Sequence, residues 1–111
     1  MIKGIIVAQV TEALIEDGIK LMRQIIGSYF DATCYSISQP AEGSVWIMYL
    51  DGNHYLQNGQ VLSMFYHPTK RHTATTVGKL GQKQSVAGPG QWAYSNQTKG
   101  AYGNKAYYNI L

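Results

Sequence analysis

Apolar side chains recur at helical spacing along residues 5–30, IIVAQVTEALIEDGIKLMRQIIGSYF. Val7, Val10, Leu14, Leu21 and Ile25 fall near one face, and Ile15, Ile19, Met22 and Ile26 widen it into a broad stripe. The pattern predicts an amphipathic helix over 5–30, a packing face first and a membrane-surface helix second. Thr11, followed by the acids Glu12 and Glu16, has the chemistry of a helix start. Gly18 sits mid-helix, where glycine costs about 1 kcal/mol relative to alanine.

The pattern changes after residue 30. DATCYSISQPAEG, residues 31–43, reads as loop, and from Ser44 the helical period is gone. SVWIMYL, QVLSMFY, HTATTV, QWAYS and NKAYYNIL are short, aromatic and β-branched. DGN, NG, HPTK, VAGPG and NQTKGAYG separate them. Asn58-Gly59 carries a tight-turn signal, and Ala87-Gly88-Pro89-Gly90 is turn chemistry. Such spacing predicts a mainly β fold, a small antiparallel β-sandwich of two short sheets, preceded by the amphipathic N-terminal helix. Two regions follow: a helical leader or propeptide-like segment over 1–41 and a β domain over 42–111.

A domain of that size buries only about 60% of its unfolded surface. Trp46, Trp92, Tyr107 and Tyr108 are therefore expected in the core, where each covers a large area. Homodimerisation through short edge strands would be a further remedy.

Charge divides the chain more sharply than composition does. Residues 1–51 hold all six acids (Glu12, Glu16, Asp17, Asp31, Glu42, Asp51) against Lys3, Lys20 and Arg23, a net −3. Residues 52–111 hold Lys70, Arg71, Lys79, Lys83, Lys99 and Lys105 and no acid, a net +6. A segment without internal counter-ions turns its bases to solvent or to an anionic partner: a nucleic acid, a lipid phosphate or an anionic wall polymer.

Few other chemistries survive. Cys34 is the only cysteine, which excludes an intramolecular disulfide and cysteine-based zinc cages. No apolar run is long enough to span a bilayer. His67 and His72 have a spacing found in some zinc motifs, but only His54 is available as a third ligand. Catalysis lacks an acid to orient a histidine in the second half; Asp51 and His54 form the only close pair, in a turn. GKLGQK, residues 78–83, lacks the lysine–hydroxyl ending and following helix of a phosphate loop. Neither an enzyme, a metal nor a cofactor is expected.

Anion binding fits best. In FYHPTKRHTATT, residues 65–76, Pro68 leads into a turn that should project Lys70 and Arg71. Arginine grips a phosphate with two parallel hydrogen bonds, and lysine adds a point charge. His67 and His72 flank them as further donors, and Lys79 and Lys83 follow on the next loop.

EGSVW, SMFYHPTKRHTATTVG, AGPGQWA and NKAYYN, in that order, resemble the lactococcin 972 family of secreted bacteriocins, over about residues 42–111. The resemblance implies a cysteine-free sandwich of two small antiparallel sheets. It also implies an antibacterial protein that binds the cell-wall precursor lipid II and blocks septum formation in Gram-positive bacteria. Lipid II carries a pyrophosphate, which suits a basic domain without acids. Residues 1–41 depart from the family's secretion signal: Glu12, Glu16 and Asp17 interrupt the apolar run a signal peptide needs. Two other readings stand beside this one. A single-stranded nucleic acid would use the lysines and exposed aromatics, and a protein partner would dock on the N-terminal helix.

Overall fold

The computed structural model describes residues 2–51 and 59–111, with side chains from residue 12 onward. One helix, α1 (Ile2–Ile26), is followed by a 3-10 turn (Gly27–Tyr29) and seven strands. These are β1 (Tyr35–Ser38), β2 (Val45–Leu50), β3 (Gln60–His67), β4 (His72–Gly78), β5 (Gly81–Ala87), β6 (Gln91–Thr98) and β7 (Lys105–Ile110). Every strand pairing is antiparallel, in two sheets ordered β1-β2-β3-β6 and β5-β4-β7. The mainly β, two-sheet arrangement expected from the pattern is what the chain adopts.

Two strands lie where the pattern suggested otherwise. Tyr35–Ser38, inside the expected loop, pairs with β2 as an edge strand. Its serines alternate outward, so the apolar signal is carried by Tyr35 and Ile37 alone. GQKQSVA forms β5, paired with β4 in register from His72↔Ala87 to Gly78↔Gly81. It is an exposed, polar edge strand, so its pairing comes from the β4 ladder and not from an apolar face. The Asn58-Gly59 turn and the Asp51–His54 pair involve residues outside the described ones.

The four-stranded sheet is apolar on both faces, for different partners. Val45, Ile47, Tyr49, Leu62 and Met64 form one buried cluster with Met22, against which Leu14, Ile15, Ile19 and Ile25 of α1 pack. The helix is thus a third layer, and from Leu14 on its apolar stripe meets the protein's own sheet. Gly18 is the point of closest approach: a methyl group there would sit 2.7 Å from both Ile47 and the Trp92 ring. Its helix-propensity cost admits close packing.

The other face holds Phe65 and Ala93, which meet Ala74 of β4, with Trp46, Ala87 and Ile110 around them. Much of this inter-sheet layer is polar. Ser63, His72, Thr76, Ser95 and Gln97 are all buried. Trp46 Nε1 donates to Ser63 Oγ at 3.0 Å, and Ser63 donates to the Tyr107 carbonyl at 2.8 Å. Ser95 Oγ donates to the Lys83 carbonyl at 2.9 Å and lies 2.9 Å from Thr76 Oγ1. Gln97 Nε2 reaches Thr76 Oγ1 and the Gly81 carbonyl. Each of these inter-sheet donors has an acceptor, which is what makes a polar interior tolerable.

Trp46 and Trp92 are half-buried, as their size allows. Tyr108 packs its ring on Trp46 and Phe65 but stays 37% exposed, so it borders the core and does not lie inside it. Tyr107 points the other way and stays 47% exposed, so it is a surface residue and not a core one.

Candidate anion-binding site

The β3–β4 connection, residues 68–71, is the turn that FYHPTKRHTATT encodes, and both flanking histidines are built into it. His67 is 6% exposed and His72 fully buried. His67 Nδ1 accepts from the backbone N–H groups of Thr69 (3.2 Å) and Lys70 (3.0 Å), so the ring caps the turn from inside. His72 Nδ1 lies 2.8 Å from the Lys70 carbonyl and its Nε2 lies 2.8 Å from the Gln91 carbonyl. Phe65 sits edge-on to the His72 ring at 5.5 Å. Burial first, and then the neighbouring His72 and Lys70 charges, hold His67 below the ordinary histidine range.

The neighbours of the turn come from two of the other segments that make the sequence familiar and from Leu111. A Cβ on Gly43, which has φ +74°, would sit 3.0 Å from Pro68, so the EGSVW segment packs on the proline ring. Gly90 N–H donates to the His67 carbonyl at 2.9 Å, bringing AGPG alongside. Leu111 N–H donates to the Arg71 carbonyl at 2.9 Å. Three separated stretches therefore converge on one turn and fix its backbone.

Lys70 and Arg71 project from that backbone into solvent. Among the described residues no acid pairs with either side chain. Burial thus divides the expected anion-binding residues: two cations at the surface, and two histidines withdrawn beneath them as supports. Position divides them again. β4 runs about 20 Å from His72 to Gly78 at roughly 3.4 Å per residue, so Lys79 lies at its far end, with Lys83 paired opposite Thr76. Lys83 Nζ donates to the Asn96 carbonyl at 3.2 Å. One phosphate cannot touch both ends.

Burial and backbone bonding of the histidines are not visible in a residue pattern. A flanking histidine on each side of a Pro-containing turn is the signal that points to them, because a neutral imidazole offers both a donor and an acceptor to backbone groups within reach. Among the described residues no three His, Cys, Asp or Glu side chains come together as a metal-holding group. No helix among them is long and apolar enough to cross a membrane. Lys79-Leu80 joins two strands, so GKLGQK is a hairpin.

A small antiparallel sandwich with a braced, doubly cationic turn, and no acidic side chain from residue 52 on, has the makings of a binding protein for anions. The family model described as Bacteriocin (Lactococcin_972) matches residues 43–108, and the chain belongs to that family. The matched region takes in β2–β6 and the first part of β7, while α1 and β1 lie outside it. No curated protein and no solved structure matches the chain.

Proposed function

We propose that the protein is a secreted antibacterial bacteriocin that binds an anionic, pyrophosphate-bearing wall precursor, lipid II, and so blocks septum formation. It acts by sequestration and not by chemistry. Lys70 and Arg71 are the primary contacts; His67 and His72 hold the turn that presents them. Lys79 and Lys83 contribute charge from the opposite end of β4.

The observation that carries this reading is the pairing of a rigid turn with two exposed cations that no acid offsets. A side chain on a fixed backbone loses less freedom on binding than one on a mobile loop. Arginine adds two-point recognition of a phosphate, and lysine a compact charge beside it.

The test is co-sedimentation of the full chain with neutral phosphatidylcholine vesicles, with vesicles doped with lipid II, and with vesicles doped with an ordinary anionic phospholipid. Competition with single-stranded DNA completes the set. Retention on lipid II vesicles that DNA does not abolish supports the reading. Equal retention on any anionic vesicle, or displacement by DNA with steep salt dependence, overturns it.

A further inference from the structure

The outer face of the three-stranded sheet, directed away from the other sheet, has a composition of its own. Register places its side chains in rows of three across β5, β4 and β7. Val86, Thr73 and Asn109 form one row, and Gln84, Thr75 and Tyr107 the next. Lys105 closes a third row opposite Val77. The middle strand is low and its neighbours stand high. Thr73 and Thr75 are only 3% and 6% exposed, whereas Val86 and Tyr107 are each 47% exposed. The face is therefore a trough with a threonine floor, about 10 Å between its walls and about 20 Å long. Gln84 Nε2 reaches from the β5 wall to Thr75 Oγ1 on the floor, at 3.4 Å.

The floor carries an unmet bond. Thr73 Oγ1 is buried with no hydrogen-bond partner among the described residues. A buried hydroxyl without a partner is rare in native proteins, and a water or a bound group within reach would satisfy it.

The geometry points to this trough as a binding site for a glycan chain, and we infer that it holds the sugar portion of the wall polymer or its precursor. Three features favour a glycan over other extended polymers. The β4 backbone is already paired on both sides, so a peptide cannot add as a strand there and recognition must come from side chains. Apart from Val77, Val86 and Lys105, those side chains are amides, hydroxyls and one exposed tyrosine ring, which can bond to sugar hydroxyls and cover a sugar's apolar face. Lys105 is the only cation in the rows, too few for a polyphosphate, and the absence of acids leaves carboxylate-bearing sugars unrepelled. Arg71 precedes the first β4 residue, so the trough leads to the basic turn. The identity of the glycan rests on the proposed function; the existence of the site does not.

The test uses lipid-free glycan strands, stripped of peptide and pyrophosphate, titrated into the full chain by calorimetry and by amide chemical-shift mapping. Wild-type protein should bind, with shifts confined to β4, β5 and β7. Tyr107→Ala and, separately, Gln84→Ala should each weaken binding at least tenfold, while Lys70→Ala/Arg71→Ala should not. Gln84 lies on an exposed edge strand, so its variant remains informative if Tyr107→Ala fails to fold. Absence of wild-type binding, or unchanged binding by both trough variants, overturns the inference. Lipid II binding with no binding to free glycan would sink the trough and leave the proposed function standing.

Discussion

Ser63 and Ser95 face each other across β3 and β6, and each hydroxyl donates to a different strand of the opposing sheet. Ser63 reaches the Tyr107 carbonyl on β7, and Ser95 the Lys83 carbonyl on β5. Both are edge strands of the three-stranded sheet. One cross-strand pair thus bolts both margins of the second sheet to the β6 side of the first. A small domain with a thin apolar inter-sheet layer gains orientation from such bonds.

Ser63→Ala should destabilise the protein by about 1–3 kcal/mol, because it leaves the Trp46 indole N–H and the Tyr107 carbonyl without their shared partner. Ser95→Ala should cost a similar amount through Thr76 and Lys83. The double variant should depart from the sum of the singles, since the two residues adjoin. Urea denaturation of the four proteins measures all three terms.

Gly18→Ala sets two effects against each other. Alanine gains about 1 kcal/mol of helix propensity, but its methyl would lie 2.7 Å from Ile47 and the Trp92 ring. Overpacking of this kind costs about 1–3 kcal/mol, and here the obstacle is a ring with little room to turn. The expected outcome is net destabilisation, with faster amide exchange in α1 than in β3 and β4. A more stable Gly18→Ala protein would show that the helix sits further from the sheet.

Acid should loosen the basic turn. The folded state holds His67 below the ordinary histidine value of 6.5, so the unfolded chain takes up a proton first as pH falls. His67's contribution is fully present above about pH 6.5 and is lost as pH drops toward its folded-state value. Protonation also removes the Nδ1 acceptor for Thr69 and Lys70 and places a charge beside His72 and Lys70. Denaturation midpoints between pH 7.5 and 5 should fall for the wild type. His67→Asn retains a side-chain acceptor without a titrating ring, so its midpoints should vary less. Equal slopes would remove His67 from this role.

Helical period made the helix legible, and short aromatic or β-branched runs between turn signals did the same for five of the seven strands, β2, β3, β4, β6 and β7. β1 and β5 escaped because an edge strand's stability lies in the neighbour's backbone. Lys70 and Arg71 were legible as exposed cations, since Pro68 marks a turn. Burial of His67 and His72 was not, because it depends on Gly43, Gly90 and Gln91, which chain order keeps distant. The trough at Thr73 and Thr75 was equally hidden: β-branched residues read as a strand, and only register shows which face they share with Tyr107 and Gln84.

The turn's function is tested most directly by titrating lipid II into the full chain and into Lys70→Ala/Arg71→Ala, following tryptophan fluorescence at one fixed salt concentration. Hydrogen bonds to charged groups contribute roughly 1.5–3 kcal/mol each, so losing both cations should weaken binding at least tenfold, with the fold unchanged by circular dichroism. Equal affinity for the two proteins would contradict the assignment of the turn as the pyrophosphate site.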